Sequence, residues 1–140
     1  MDEDLIADVL TFEEVTEDVH IAVQSYFLSD QSDPSNGQFV WAYRIKISNQ
    51  SHRPVKLLRR HWIITDGRGQ IKEVQGEGVI GEQPLINPNH SFIYTSGSPL
   101  NTPSGFMRGT YQMIDSKDRT FTVAIPTFSL DSPYCSQGIN

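Results

Sequence analysis

Three glycines follow one another at a spacing that some proteins use to hold phosphates. The stretch Gly76-Glu77-Gly78-Val79-Ile80-Gly81 has the Gly-x-Gly-x-x-Gly form found where a strand turns into a helix whose N-terminus binds a pyrophosphate. Pro84 and Pro88 follow closely, so no helix of useful length can begin here. The sequence therefore argues against a dinucleotide-binding fold.

A weaker interpretation of the same loop is an anion site that needs no helix. Successive glycine amides can form a nest for an anion, and nearby arginines could neutralise a phosphate, whereas Glu77 and Glu82 would oppose it. The alternative is that the glycines only permit backbone turns and close strand approach. The candidate ligand-binding residues are Gly76, Gly78, Gly81, Arg59, Arg60 and Arg68, with Lys72 nearby in sequence.

Residues that could carry out catalysis form no recognisable constellation. Cys135 lies among small polar residues near the carboxyl end, and no serine lies in a Gly-x-Ser-x-Gly nucleophile elbow. We therefore predict that the protein is not an enzyme. The four histidines are His20, His52, His61 and His90, and they are far apart in the sequence.

Metal-binding spacings are also missing, because neither His-Glu-x-x-His nor paired cysteines occur. Four carboxylates near the glycine loop could offer oxygen ligands to Mg²⁺, but such groups are more often solvated. We predict no metal and no cofactor. We expect His61 to lie on the face of its strand opposite to that of Trp62 and to form a hydrogen bond with a neighbouring residue. The four carboxylates are those of Asp66, Glu73, Glu77 and Glu82.

Alternating apolar and polar residues, the period of a β-strand, run from Asp18 almost to the end of the chain. Seven short strands joined by turns predict an all-β fold, an antiparallel β-sandwich of the immunoglobulin-like or fibronectin-III-like kind. We expect Pro126 to end the last strand and Ser96–Pro99 to lie in a loop. The predicted strands centre on Val19–Val23, Phe39–Ile47, Val55–Thr65, Ile71–Val74, Phe92–Tyr94, Met107–Met113 and Phe121–Ile125.

Within the third predicted strand, strict alternation puts Leu58, Trp62 and Ile64 on one face. The same rule puts Val55 and Leu57 on the opposite face. Both faces of this strand are therefore expected to be partly covered.

The 140 residues suit one domain. We divide the chain into an acidic leader (residues 1–17), a sandwich domain (residues 18–130) and a loose tail (residues 131–140). Residues 1–18 hold eight acids and no Lys or Arg. Apolar residues at helical spacing permit a short helix there, with disorder as the alternative; they are Leu5, Ile6, Val9, Leu10 and Phe12. The remainder has eleven bases against nine acids, too weak an excess for nucleic acid. We also expect the leader to fold over the basic stretch Arg53–Arg60.

The chain has no apolar run long enough to span a membrane and no secretory signal at its amino end. Its single cysteine, Cys135, can form no internal disulfide. A cytoplasmic location and no membrane contact are therefore expected.

Several segments together resemble the ApaG family, and the resemblance covers roughly residues 18 to 130. They are Arg60–Gly67, Glu73–Pro84, Phe92–Gly97 and Thr102–Tyr111. The resemblance implies a fibronectin-III-like sandwich, found alone in bacteria and as a carboxy-terminal module in eukaryotic F-box and polymerase-delta-interacting proteins. It implies no catalytic residues, and it carries over only the motif glycines Gly76, Gly78 and Gly81.

The resemblance further implies protein recognition and, for bacterial members, a link to cobalt and magnesium tolerance. A chain without a membrane span cannot itself conduct ions, so any such role is indirect. The leading hypothesis is a non-catalytic module whose sheet edges or strand-connecting loops bind an unidentified protein partner. The same edges would also allow self-association. The alternative is a phosphate, pyrophosphate or divalent-ion site at Gly76–Gly81.

Overall fold

The computed structural model describes residues 5–134, and it confirms an antiparallel β-sandwich. The fibronectin-type arrangement remains an expectation from the resemblance. No helix within these described residues has the length and apolar character needed to cross a membrane. The strands are β1 (Phe12–Thr16), β2 (Val19–Phe27), β3 (Phe39–Asn49), β4 (Val55–Asp66), β5 (Ile71–Glu77), β6 (Leu85–Ile86), β7 (Ser91–Leu100), β8 (Gly105–Asp115) and β9 (Thr120–Leu130).

The strands form two sheets, ordered β1-β2-β3-β7 and β5-β4-β8-β9, and β6 pairs with β4 beyond the end of β5. Each strand alternates, so that one side chain in two points between the sheets. In β3 every second residue from Phe39 to Asn49 is buried. The sequence pattern of this strand thus predicted its core face correctly.

Two predicted strand ends were wrong. Ser96–Pro99 belongs to β7, where Pro99 lies opposite Val40. This proline is tolerated because β7 is an edge strand, whose outward backbone groups need no partner. Pro126 lies inside β9, where the pairing with β8 shifts between Met107 and Gly109, and such a bulge accommodates a residue that cannot donate to the ladder.

The leader was expected to be helical or disordered, but Phe12–Thr16 forms β1 and pairs with β2. Phe12 packs against Phe128 with ring centroids 6.4 Å apart, and this contact anchors the strand to the other sheet. Residues 6–11 lie over β2, where the buried Gln24 amide bonds to both the N–H and the carbonyl of Ile6 at 3.0 and 2.8 Å.

Within residues 5–18 the leader meets the basic stretch Arg53–Arg60 at its first residue, because Glu17 and Asp18 line one surface cavity together with Arg53. Glu17 pairs with Arg119 at 2.8 Å, and Glu13 pairs with His20 at 2.8 Å. Both partners lie in or beside the strands that flank β1. Arg119 in turn pairs with Asp115, which lies 3.9 Å from Arg53, so Glu17 is linked to the start of the basic stretch through these two side chains. Residues 1–4 of the leader, and Cys135 with the rest of the tail to residue 140, lie outside the described residues.

Strict alternation along β4 fails at one point, and the failure is important for the site. The register with β8 shifts between Leu57 and Arg59, so Leu58 is an extra residue in a bulge. Before the bulge Val55 and Leu57 point inward, and after it Trp62 points inward too. Val55, Leu57 and Trp62, which strict alternation assigned to opposite faces, therefore share one inward face of β4. The same face carries Arg60.

The sandwich is closed on one side and open on the other. On the closed side β1 packs beside β9, and the hydroxyl of Thr16 accepts a hydrogen bond from the Ala124 amide at 3.2 Å. On the open side the edge strands β5 and β7 leave a cleft that reaches inward to β3 and β4.

Candidate functional site

The candidate site is the inter-sheet cleft on the open side of the sandwich. Its main cavity has a volume of about 580 Å³, within the range of sites for small ligands or peptide side chains. A second cavity of about 340 Å³ lies under the Gly78–Gly81 turn. Both are lined by Tyr43, Arg60, Trp62 and Ser96, so they form one elongated cleft.

Arg60 occupies the point where the two cavities meet, and the backbone holds its guanidinium. Nη1 donates to the carbonyl oxygens of Glu77 and Gly78 at 3.1 and 3.0 Å. Gly76 lies opposite Arg60 across the β4–β5 pair, and a Cβ atom on Gly76 would stand 2.7 Å from Nη1. The glycine therefore leaves room for the guanidinium to lie over the strand.

The charge of Arg60 lacks an acidic partner among residues 5–134. Glu77 reaches toward Arg59 instead, at 4.0 Å, on the outer side of the sheet. The half-buried guanidinium faces two tyrosines, Tyr43 and Tyr94. Burial raises the pKa of both hydroxyls, and the positive charge of Arg60 offsets part of this rise. A partly buried cation without a counter-ion is costly, and a bound anion would relieve this cost.

The remaining glycines of the motif shape a tight hairpin. Ile80 and Gly81 have φ of +43° and +80°, and Val79 and Glu82 exchange backbone hydrogen bonds of 2.8 and 2.9 Å, as in a two-residue turn of type I′. Gly78 has φ of +64° and donates its N–H to Leu58 at 2.9 Å. The amides of Gly78 and Val79 are thus engaged with backbone carbonyls and do not point at an anion.

The six candidate ligand residues therefore separate in space. Arg60 and Gly81 line the cleft, Gly76 supports the guanidinium, and Gly78 shapes the hairpin. Arg59 points outward beside Glu77, because neighbours in a strand face opposite sides. Arg68 lies exposed at the tip of the β4–β5 hairpin, where its amide donates to Asp66 at 2.8 Å.

His61 lies on the outer face of β4, and its Nε2 is 2.7 Å from Oε1 of Glu73, which confirms the expected hydrogen bond to a neighbour. The four carboxylates considered for Mg²⁺ do not converge. Throughout residues 5–134 no group of three or more His, Cys, Asp and Glu side chains could hold a metal ion.

Sequence reasoning missed several residues of the cleft. Tyr43 and Trp62 form its aromatic floor, with ring centroids 5.4 Å apart and ring planes inclined at 66° in an edge-to-face contact. Ser98 lies in the cleft wall, only 3% exposed, and its hydroxyl has no hydrogen-bond partner within residues 5–134. The inward period of β3 identifies Tyr43, but Ser98 lies in a stretch of turn-forming residues that gave no strand signal.

Behind the floor, the hydroxyls of Tyr94 on β7 and Tyr111 on β8 are 2.5 Å apart and join the two sheets. Both side chains are buried, and burial raises the pKa of each hydroxyl above the ordinary value near 10. The pair satisfies two polar atoms that would otherwise be stranded in the core.

Comparison with known proteins supports one family. The model of the ApaG domain matches residues 29–115. A protein named Protein ApaG from Paramagnetospirillum magneticum is 50% identical over 129 residues, which is 92% of this chain and 99% of that protein. Another of the same name from Sinorhizobium fredii is 52% identical over 126 residues, 90% of this chain and 97% of its own length.

Among solved structures, the putative ApaA protein from Bordetella pertussis is similar in fold and sequence. It superposes with a TM-score of 0.81 at 46% identity, covering 83% of this chain and 94% of the other.

We predict that Gly78→Ala lowers the free energy of unfolding by more than about 3 kcal/mol. The left-handed backbone disfavours alanine, and its Cβ would stand 2.1 Å from the Glu82 carbonyl oxygen. Gly81→Ala is the matched control, because it has a similar φ and no atom within 4 Å, and should cost only about 1–2 kcal/mol. Urea unfolding measures both, and equal losses would contradict this account of the hairpin.

We also predict that stability falls as the pH rises above about 10. Unfolded tyrosines lose their protons there while Tyr94 and Tyr111 keep theirs, so each adds a loss of about 1.4 kcal/mol per pH unit until its folded pKa is reached. The double variant Tyr94→Phe/Tyr111→Phe should show a shallower decline in urea unfolding between pH 9 and 11. An unchanged slope would show that other groups dominate.

Proposed function

Because this chain belongs to the ApaG family, we propose that it is a non-catalytic binding module that recognises a protein partner along the free edge of β5. The observation that carries the proposal is the exposed edge beside the cleft. A partner in extended conformation can add a strand to such an edge, gaining affinity from backbone hydrogen bonds and specificity from adjacent pockets.

The four sheet edges differ in their capacity to accept a strand. The edge strand β1 is short and carries two central glutamates, and β9 contains Pro126 and is covered by β1. On the open side β7 contains Pro99, which has no N–H to offer. The edge strand β5 spans seven residues without a proline, so it is the best template of the four.

The pairing of β4 with β5 shows which backbone groups are free. Gly78 donates to Leu58 and Asp66 donates to Gln70, so alternate positions of β5 bond inward to β4. The positions between them, at Ile71, Glu73 and Gln75, direct their N–H groups away from β4. Ile71 is also 64% exposed, which offers an apolar contact at the start of the edge.

The surroundings of the histidines support a role without catalysis. His20 and His61 pair with glutamates, and His90 lies 3.0 Å from the Pro88 carbonyl oxygen. None of these three contacts joins the imidazole to a serine or threonine hydroxyl, which is the pairing that activates a nucleophile.

We further propose that the module acts in the cytoplasm, and that any link to cobalt and magnesium tolerance works through the protein partner. The single cysteine of the sequence, Cys135, is compatible with a reducing compartment. Self-association through the same edge competes with the partner, because both would use the free groups of β5.

The second candidate function, phosphate or pyrophosphate binding at the glycine loop, has one observation in its favour, the uncompensated charge of Arg60. Against it, the amides of Gly78 and Val79 already donate to backbone carbonyls and are not free to bind an anion. Divalent-ion binding at this loop has no comparable support from the described carboxylates. Protein recognition is therefore the preferred function.

The test uses a photo-crosslinking amino acid in place of Glu73, in cells that produce the protein. We predict that it captures a partner, and that adding Gln75→Pro reduces capture at least ten-fold, because proline removes an outward N–H of the edge. Gln75→Ala, which keeps the N–H, should capture as the parent does.

Unfolding curves of the Gln75 variants check that each one folds. A crosslink that persists with Gln75→Pro would contradict recognition by the β5 edge. So would a crosslink that forms only from a probe at Thr122 on β9, on the opposite side of the same sheet.

A further inference from the structure

Resting on the proposed function, we infer that the cleft beside β5 binds a carboxylate of the partner's extended segment, and that Arg60 is the group that holds it. The juxtaposition of Arg60, the aromatic floor and the unpartnered Ser98 hydroxyl carries this inference.

The guanidinium of Arg60 has donors to spare. Nη1 uses its hydrogen bonds on the Glu77 and Gly78 carbonyls, whereas Nε and Nη2 donate to no residue within 5–134. Nε and Nη2 lie on one edge of the planar group, and two parallel donors on such an edge match the two oxygens of a carboxylate. The backbone contacts fix the orientation in advance, which lowers the entropic cost of binding.

The charges around the cleft favour a single negative charge over a polyphosphate. Arg60 lines both parts of the cleft, and the oppositely charged Lys72 and Asp66 line the main part. Asp66 already accepts hydrogen bonds from the amides of Arg68 and Gln70 at the hairpin tip. A monoanion at Arg60 balances its charge, whereas a pyrophosphate would bring two or more negative charges to this one guanidinium.

The other residues that line the cleft indicate which groups of the ligand lie beside its carboxylate. Tyr43 and Trp62 present ring surfaces beside Arg60, which suit an apolar side chain. Farther along, Ser98 is 3% exposed with an unsatisfied hydroxyl, a costly arrangement that a backbone N–H or carbonyl of a bound segment would relieve. The pattern fits a polypeptide whose carboxylate meets Arg60.

A polypeptide can supply this carboxylate from its C-terminus or from an Asp or Glu side chain, and two probes distinguish these sources. N-acetyl-L-leucine has a free C-terminal carboxylate beside an apolar side chain. N-acetyl-L-glutamic acid α-amide has only the side-chain carboxylate. N-acetyl-L-leucine amide is the neutral control, and inorganic pyrophosphate tests the competing anion.

Each probe is titrated to 100 mM at fixed ionic strength, and the ¹H–¹⁵N resonance of the Arg60 Nε–H group is followed by NMR. We expect saturating shifts with at least one carboxylate, and an affinity at least ten-fold higher than for the amide. Arg59→Gln should bind as the parent does, because Arg59 points outward.

Arg60→Gln should abolish saturable binding. In this variant, which lacks the Arg60 Nε–H group, binding is measured from the resonances of the Gly76 amide and the Trp62 indole. Gly76→Ala keeps the arginine but displaces its head group, and should weaken binding at least ten-fold. It provides a second test if Arg60→Gln fails to fold.

The inference is overturned if neither carboxylate gives a saturating shift, if Arg60→Gln binds as well as the parent, or if only pyrophosphate binds. Such a result leaves the proposed function separately testable, because capture through Glu73 and its loss with Gln75→Pro do not depend on Arg60. Failure of both experiments would reject recognition on this side of the sandwich altogether.

Discussion

The open side of the sandwich depends on one set of hydrogen bonds, those from the Arg60 guanidinium to the carbonyl oxygens of Glu77 and Gly78. They connect a central strand to the hairpin that follows its edge neighbour. They also fix a positive charge between the sheets, where a hydrophobic side chain would be the ordinary choice. The Leu58 bulge makes this arrangement compatible with the core, because it keeps Leu57 and Trp62 on the inward face that carries Arg60.

Seen from this interaction, the glycine motif is an architectural feature. Gly76 gives the guanidinium space, and Gly78 and Gly81 supply the left-handed backbone that turns the hairpin over the cleft. The form Gly-x-Gly-x-x-Gly is shared with phosphate-binding loops because both need close backbone approach and tight turns. Its amides, however, serve the protein's own carbonyls, and the charged side chain beside the motif is what remains to meet a ligand.

The sequence predicted the parts of the fold that local periodicity determines. The alternation of β3 identified the sandwich and its core, and Pro84 and Pro88 correctly argued against a helix after the glycines. What it missed depends on tertiary contacts. Phe12 lies among acidic residues, and its place in a strand depends on packing against Phe128 of the other sheet. Ser98 lies among turn-forming residues in the sequence, and its place in a strand depends on pairing with β3. Arg60 was a candidate, but Arg59 and Arg68 were equally plausible, because sequence proximity does not show which strand face enters a cleft.

Arg60 is held within the cleft of the free protein, with its head group over Gly76. The most direct measurement is a nuclear Overhauser spectrum of the protein without added ligand. We expect strong contacts between the Arg60 side-chain protons and the α-protons of Gly76, and none from Arg59 to the same protons. An Arg60 side chain that shows no such contacts, and that averages in solvent as Arg59 does, would contradict this placement.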